Sequence, residues 1–202
     1  MKNNGHFLET YLAIIKEDTD NKSKDTLNML FLEYNNKEEI TIDDLINLLN
    51  IAVCDELLAS FNYMISYTLS KTNGKADFDP EFEAHEQEEL THAHKLIKRL
   101  REMDAECLTI NWADYVSKNS AGANWKQETS SNSIEILKNR YNEEVNAIKF
   151  YSLVLDCIEK MKQHGEWDTT TEHLIKEIKS DEEQHRLDLH DLIIQYNKKD
   201  EK

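Results

Sequence analysis

Four helix-length segments with a helical repeat of apolar residues constrain the fold of this chain more than any other feature. They run over about residues 41–72, 79–103, 133–163 and 169–197, and each keeps a stripe of apolar side chains along one face. A single proline and four glycines in 202 residues leave helices of this length uninterrupted. The pattern predicts an all-α fold and argues against a turn-rich β-sandwich.

The connections between these segments differ in length. Residues 72–75 and 164–166 are short stops that contain glycine, so each joins two neighbouring helices. Residues 104–131 are too long for a plain turn in a compact domain, and we expect a short helix over about 112–118 within them. This order predicts a four-helix bundle with one long crossover between the second and third helices, B and C.

Helix starts are indicated by capping residues. Thr41 is placed to cap the first long helix, and Pro80 suits the first position of the second. The run from Thr169 to Glu172 has the spacing of a capping box, with Thr169 as the cap.

Residues 1–40 show weaker patterns. Apolar residues over 7–15 and over 27–34 can each line one face of a short helix. We therefore predict three parts: a short helical N-terminal appendage over residues 1–40, the bundle over 41–198 and a tail over 199–202.

Charge and cysteine content restrict the partners. With 40 Asp and Glu against 24 Lys and Arg, the net charge is −16, which disfavours nucleic acid and acidic lipid and suits metal cations. The three cysteines form no C-x-x-C pair, so a reducing cytosol fits best. No apolar run approaches the roughly 18 residues of a membrane span. We expect a cytoplasmic protein that binds neither membrane nor nucleic acid.

The two halves of the chain carry the same chemical residues in the same order. In each half a Glu precedes a Tyr by seven positions, and a second Glu precedes a His by three. The first half has Glu56, Tyr63, Glu89 and His92, and the second has Glu144, Tyr151, Glu182 and His185. The repeat places one Glu on each of four helices, with a His on two of them.

This spacing predicts a centre for two metal ions. Residues three apart share a helix face, so each Glu-x-x-His directs a carboxylate and an imidazole to one point. Four carboxylates balance two divalent cations, and burying them without metal would be costly. The predicted metal ligands are Glu56, Glu89, His92, Glu144, Glu182 and His185. Either Glu89 with Glu144 or Glu56 with Glu182 can bridge the two ions.

Acids stand beside several of these ligands. Glu88, Glu143 and Glu183 are neighbours of candidates, and the offsets to His and Tyr select the other member of each pair. Glu88 and Asp181 each precede a predicted ligand. They can accept the outer N–H of the opposite half's His, or they can be solvated surface acids.

Two roles are considered for Tyr63 and Tyr151. Each can hydrogen-bond a ligand Glu across the bundle, or supply an electron during oxidation, which makes Tyr63 a candidate catalytic residue. Within the bundle segment, five other histidines lack a Glu three positions earlier, and we expect most of them at the surface: His85, His94, His164, His173 and His190. Three tryptophans are expected to plug bundle ends or subunit contacts: Trp112, Trp125 and Trp167.

The segments Glu81–Ala93 and Asp181–His185 resemble the second and fourth helices of the ferritin-like superfamily, especially bacterioferritin and the Dps-like mini-ferritins. The resemblance covers about residues 41–197. It implies a ferroxidase that binds two iron ions per chain and oxidises Fe(II) with O2 or H2O2, and a hollow homo-oligomer that stores ferric mineral and protects against oxidative stress. It also implies that the two Glu of the Glu-x-x-His pairs bridge the ions.

Departures from the family pattern refine this expectation. Leu90 replaces the methionine of haem-binding bacterioferritins, so no haem is predicted. Asn146 and Ser120 stand where thioferritins have cysteines, which argues against a redox disulfide. No rubredoxin-type cysteine set is present. The short tail leaves no room for the fifth helix of 24-subunit ferritins, so a 12-subunit shell is expected.

Other functions fit the same residues. Glu and His also bind Mn and Zn, so the metal is not fixed by the ligand types. A di-metal oxidase that consumes peroxide and stores nothing would need the same centre. A redox-inert scaffold stabilised by Zn would need only the fold and the ligands.

Overall fold

The computed structural model describes residues 26–72, 78–107, 130, 132–165 and 168–200. These residues contain helices and no strand, which confirms the all-α fold. The helices are α1 (Thr26–Asn36), α2 (Ile42–Thr72), α3 (Asp79–Glu102), α4 (Ser133–Gln163) and α5 (Thr169–Asp200). The helices predicted near residues 7–15 and 112–118, Ser120 and the three tryptophans lie outside the described residues.

The starts of the long helices follow from their capping side chains. Thr41 Oγ1 accepts a hydrogen bond from the Asp44 backbone N–H, and Asp44 Oδ2 accepts one from the Thr41 N–H at 2.9 Å. This reciprocal pair confirms the predicted cap. Asn132 caps α4 by accepting from the Ile134 N–H at 3.2 Å.

The predicted cap of α5 was wrong by one residue. Asp168, not Thr169, precedes the helix, and its Oδ1 accepts from the Thr171 N–H at 2.9 Å. Arg99 of α3 donates to Asp168 Oδ2 at 2.5 Å and fixes the carboxylate in this position. A charged oxygen held by a neighbouring helix therefore takes the place that a threonine hydroxyl was expected to fill.

The four long helices pack as two hairpins, α2 with α3 and α4 with α5. Two apolar clusters fill the bundle at its two ends. The larger includes Leu58 of α2 and Phe150 of α4, and the smaller includes Tyr63, Phe82 and Leu189. Each helix passes from one cluster to the other, so a short middle layer is left between them for polar side chains.

Helix α1 covers the larger apolar cluster. Its Leu30 and Tyr34 side chains are buried there. Lys160 of α4 donates from Nζ to the backbone carbonyls of Tyr34 and Asn35, at the C-terminal end of α1. A cation at this end of a helix also interacts favourably with its dipole. The second predicted helix of the appendage is thus packed on the bundle, while the division of the chain at residue 40 stays a prediction.

Contrary to the expectation from the sequence, helix α2 is apolar enough, over residues 42–70, to cross a membrane by length and composition alone. Its most apolar 18-residue window has a mean hydropathy of 1.3, and 72% of that window is buried inside the protein. Burial of this extent is typical of the core helix of a bundle, so the apolar window is weak evidence for a membrane span.

Candidate metal centre

The six predicted ligands meet in the middle layer of the bundle. Each of the four long helices contributes one Glu, and α3 and α5 add a His one turn further on. Every one of these side chains is at most 3% exposed: Glu56, Glu89, His92, Glu144, Glu182 and His185. The structure therefore brings the whole predicted set to one place, and their role as metal ligands stays a prediction.

One half of the centre surrounds His92. Its Nδ1 lies 3.1 Å from Glu182 Oε1, 3.2 Å from Glu89 Oε2 and 3.3 Å from Glu56 Oε2. These four groups come from α2, α3 and α5, and their ligand atoms are close enough to share one ion.

The other half surrounds His185. Its Nδ1 lies 3.2 Å from Glu89 Oε1, 3.5 Å from Glu182 Oε2 and 4.0 Å from Glu144 Oε2. Glu89 and Glu182 thus belong to both halves, and each directs one oxygen to each half. Of the bridging arrangements considered from the sequence, this geometry favours the one implied by the family resemblance.

The outer nitrogens of both imidazoles are held by acids of the opposite hairpin. His92 Nε2 lies 3.1 Å from Asp181 Oδ2, and His185 Nε2 lies 2.7 Å from Glu88 Oε2. Since a carboxylate can only accept, each Nε2 carries the hydrogen and each Nδ1 faces the centre. These contacts confirm the predicted partners of the two histidines. Such outer contacts orient imidazole ligands in metal sites.

Two tyrosines bind the terminal carboxylates across the bundle. Tyr63 donates its hydroxyl hydrogen to Glu144, and Tyr151 donates to Glu56. Burial and the adjacent carboxylates raise the pKa of both phenols well above the ordinary value. Both therefore stay protonated donors, and the predicted hydrogen bonds across the bundle are confirmed.

The pKa values of the four Glu side chains in the centre are shifted in different directions. Burial and two neighbouring carboxylates raise the pKa of Glu56 and of Glu144 well above the usual range. Burial acts in the same direction on Glu89 and Glu182, but contacts with the imidazoles outweigh it and lower the pKa of both.

The pKa values of the two imidazoles are also shifted from the ordinary value. Burial lowers their pKa, but hydrogen bonds and charges of the surrounding carboxylates outweigh it, so the pKa of His92 and of His185 is raised. Two divalent cations would balance the charge of the four Glu side chains once all four are deprotonated.

The donor set fits two metal ions. Three carboxylate oxygens and one imidazole nitrogen of the centre are buried without a hydrogen bond of good geometry: Glu56 Oε2, Glu89 Oε1, Glu182 Oε1 and His185 Nδ1. Buried polar atoms without partners are costly, and all four belong to the two proposed ligand groups. Oxygen and imidazole ligands suit Fe, Mn or Zn.

The buried Arg140 pairs with the partly buried Glu143 beside the centre, and the sequence patterns did not reveal this contact. Arg140 is 1% exposed, and its guanidinium reaches both Glu143 oxygens, at 2.8 and 2.9 Å. Glu143, the neighbour of Glu144, is therefore engaged outside the ligand groups. Arg140 lies four residues before Glu144, so its position on the buried stripe was the available signal.

His85 is the buried exception among the five other histidines of the bundle segment. Most of these five were expected at the surface, and four are exposed, but His85 is only 2% exposed. Its ring stacks on His185 with centroids 4.1 Å apart and meets Tyr63 edge-on at 5.1 Å. Burial and the neighbouring His185 lower its pKa to about 3, so the imidazole is neutral. It lies one turn before Glu89, on the stripe that faces the interior.

A cleft between α2 and α4 leads to the centre. Glu56, Glu89, Glu144 and Glu182 line it, together with Asp55 and Glu143. The small side chains of Ala59 and Ala147 also line the cleft, one from each helix. Acidic walls and small side chains make this cleft a suitable approach for a cation.

Fold and centre together place the molecule among four-helix bundles that gather carboxylates and imidazoles in the bundle core. The chain belongs to the ferritin-like domain family, whose sequence model matches residues 46–198. A search of curated proteins gave no match.

Two solved structures share the fold. The dodecameric thioferritin from Bacteroides fragilis, a bacterioferritin-related protein, is 24% identical, with a TM-score of 0.69 over 87% of this chain and 96% of that one. Bacterioferritin of Rhodobacter capsulatus, described with a metal-free dinuclear site and haem iron, is 22% identical, with a TM-score of 0.64 over 78% and 88%.

Proposed function

We propose that this protein is a ferroxidase that oxidises Fe(II) at a centre for two iron ions within each chain, for iron storage and protection from oxidative stress. The observation that carries the proposal is the pair of four-residue groups that share Glu89 and Glu182. Membership of the ferritin-like family supports iron as the metal. The three cysteines are free, which suits a cytoplasmic location.

In this reaction the side chains of the protein would hold the iron ions in place and supply negative charge. Glu89 and Glu182 would hold both ions, while Glu56 with His92 and Glu144 with His185 would hold one each. Each Fe(II) gives up one electron. The two electrons, together with two protons, reduce H2O2 to two waters or O2 to H2O2. Four carboxylates stabilise the higher charge of Fe(III), and this favours the oxidised product.

The proposed assembly is a homo-oligomeric shell of twelve chains. The thioferritin that shares the fold is dodecameric, and heterologous contacts between identical subunits can close into such a shell. Twelve chains of 23.7 kDa would have a mass of about 284 kDa. Light scattering on the purified protein tests this directly, and a monomer or dimer at micromolar concentration would exclude the shell.

The test of activity compares two adjacent acids on α5. Fe(II) is added without oxygen to the purified protein, H2O2 or O2 follows, and ferric absorbance is recorded against a protein-free blank. Glu182→Gln removes a carboxylate shared by both halves, whereas Glu183→Gln changes an exposed neighbour that pairs with Lys179. We expect fast oxidation in the wild type and in Glu183→Gln, and oxidation near the blank in Glu182→Gln.

Oxidation no faster than the blank in the wild type would exclude a ferroxidase and leave a redox-inert bundle. If the wild type oxidises iron, repeated additions distinguish storage from simple oxidation. A storing shell keeps far more iron in solution than two ions per chain, and an oxidase that stores nothing releases the excess as precipitate.

A further inference from the structure

Outside the centre, three potential ligands converge at the end of the bundle that contains the smaller apolar cluster. Glu81 and His85 lie one turn apart on α3, and Asp188 lies on α5 one turn after His185. We infer that Glu81, His85 and Asp188 form a third cation site, which binds one divalent transition-metal ion beside the two-metal centre.

The distances fit a shared ion. His85 Nε2 lies 3.8 Å from Glu81 Oε1 and 3.7 Å from Asp188 Oδ2, and all three ligand atoms lie within 4.8 Å of one another. Ligands at about 2.1 Å from a tetrahedral ion are about 3.4 Å apart. The Glu81 and Asp188 side chains are 40% and 30% exposed, so both carboxylates can rotate towards a shared ion. The two carboxylates also balance the charge of a divalent cation.

The burial of the His85 imidazole independently supports a metal site at this position. His85 is 2% exposed, and neither of its ring nitrogens has a hydrogen-bond partner among the described residues. The distances to Glu81 and Asp188 are too long for hydrogen bonds, so Nε2 is aimed between two acids without bonding to either. A buried ring nitrogen in this position is costly unless something binds it. A metal ion between the three groups would satisfy it.

The site is distinct from the centre but adjacent to it. The rings of His92, His185 and His85 form a row, with centroids 6.1 and 4.1 Å apart. His85 therefore stands behind His185, on the side away from His92. The side chains of Glu81 and Asp188 are 40% and 30% exposed, so a cation can reach the site from solvent. Three protein ligands leave room for water, as in sites that exchange their ions.

The experiment uses Zn(II) and needs no activity. Crystals of the full chain are soaked in Zn(II), and anomalous difference maps are recorded above and below the zinc absorption edge. We expect three peaks per chain, with the third about 2.1 Å from His85 Nε2. The peaks at Glu89 and Glu182 are read separately, so failure of the third site and failure of the two-metal centre give different maps.

Matched double variants complete the test. Glu81→Gln with Asp188→Asn keeps the shapes of both side chains and removes both charges, and we expect it to lose the third peak alone. Glu83→Gln with Asp191→Asn changes two exposed acids on the same helices and should keep all three peaks. A wild-type map with the centre filled and no density at His85 would overturn the inference. So would a third peak that persists in the first double variant.

Discussion

The spacing of residues along helices explains why the centre was predictable. Offsets of three and seven positions depend only on helix geometry, and the structure brings together every residue that they selected. His85 was missed because it has no Glu three positions earlier. Its acid, Glu81, lies four positions earlier, and Asp188 comes from another helix. Arg140 was missed because its partner Glu143 was considered only as an alternative to Glu144.

The tyrosine contacts lead to a prediction about metal affinity. Tyr63 holds Glu144 and Tyr151 holds Glu56, so replacing either phenol by Phe frees one terminal carboxylate. We expect Tyr63→Phe and Tyr151→Phe each to weaken binding of one of two Zn(II) ions by about 10–100-fold. Calorimetric titration measures this. Tyr141→Phe, on α4 and half-buried beside His190, is the control. Unchanged Zn(II) affinity in Tyr63→Phe and Tyr151→Phe would mean that the two hydroxyl groups do not contribute to metal binding.

The raised pKa values of His92, His185, Glu56 and Glu144 predict that metal binding depends on pH. Each of these groups must lose its proton before it binds an ion, so protons compete with the metal and affinity rises with pH. Each proton released changes the affinity about tenfold per pH unit. Protons therefore leave the centre when the ions bind.

Titration with Zn(II) in buffers of different ionisation enthalpy counts these protons. Glu144→Gln removes one exchangeable proton and should lower the count by about one. An affinity that stays constant between neutral and mildly alkaline pH would contradict the proton distribution described for the centre.

At the scale of helices, the boundaries were predictable where a cap lies in the local sequence. Thr41 and Asp44 cap α2 through a pair three residues apart, which sequence shows directly. Asp168 caps α5 with help from Arg99, about seventy positions earlier in the chain, and no local pattern contains that contact. The packing of α1 on α4 could not be predicted either, because Lys160 donates to a backbone carbonyl that is far away in sequence.

The cleft between α2 and α4 leads to a prediction about access. Ala147 of α4 lines it without belonging to either ligand group. A leucine there would narrow the cleft, so Ala147→Leu should slow Fe(II) oxidation several-fold and leave the number of bound Zn(II) ions unchanged. Stopped-flow absorbance gives the rate and calorimetry gives the number. Ala84→Leu, at an exposed position on α3, is the control. Equal rates of Fe(II) oxidation in Ala147→Leu and Ala84→Leu would indicate that Fe(II) enters by another route.

At the scale of the whole molecule, the position of the centre links metal binding to stability. The six predicted ligands lie between two apolar clusters, and all four long helices contribute to them. Buried charged groups reduce the stability of a metal-free bundle, while an ion bound only by the folded state stabilises it. The proposed metal binding would therefore contribute to the stability of the folded molecule.

Removal of metal should accordingly lower the unfolding temperature. At a free Zn(II) concentration 100 times the dissociation constant, one site adds about 2.7 kcal/mol, which for a chain of this length raises Tm by about 5–10 °C. Calorimetric scans at fixed protein concentration, with Zn(II) or with chelator, measure the difference. Glu182→Gln removes a ligand shared by both halves, so most of the rise should disappear in it. A wild-type Tm that is the same with saturating Zn(II) and with chelator would mean that the centre contributes nothing to holding the four helices together.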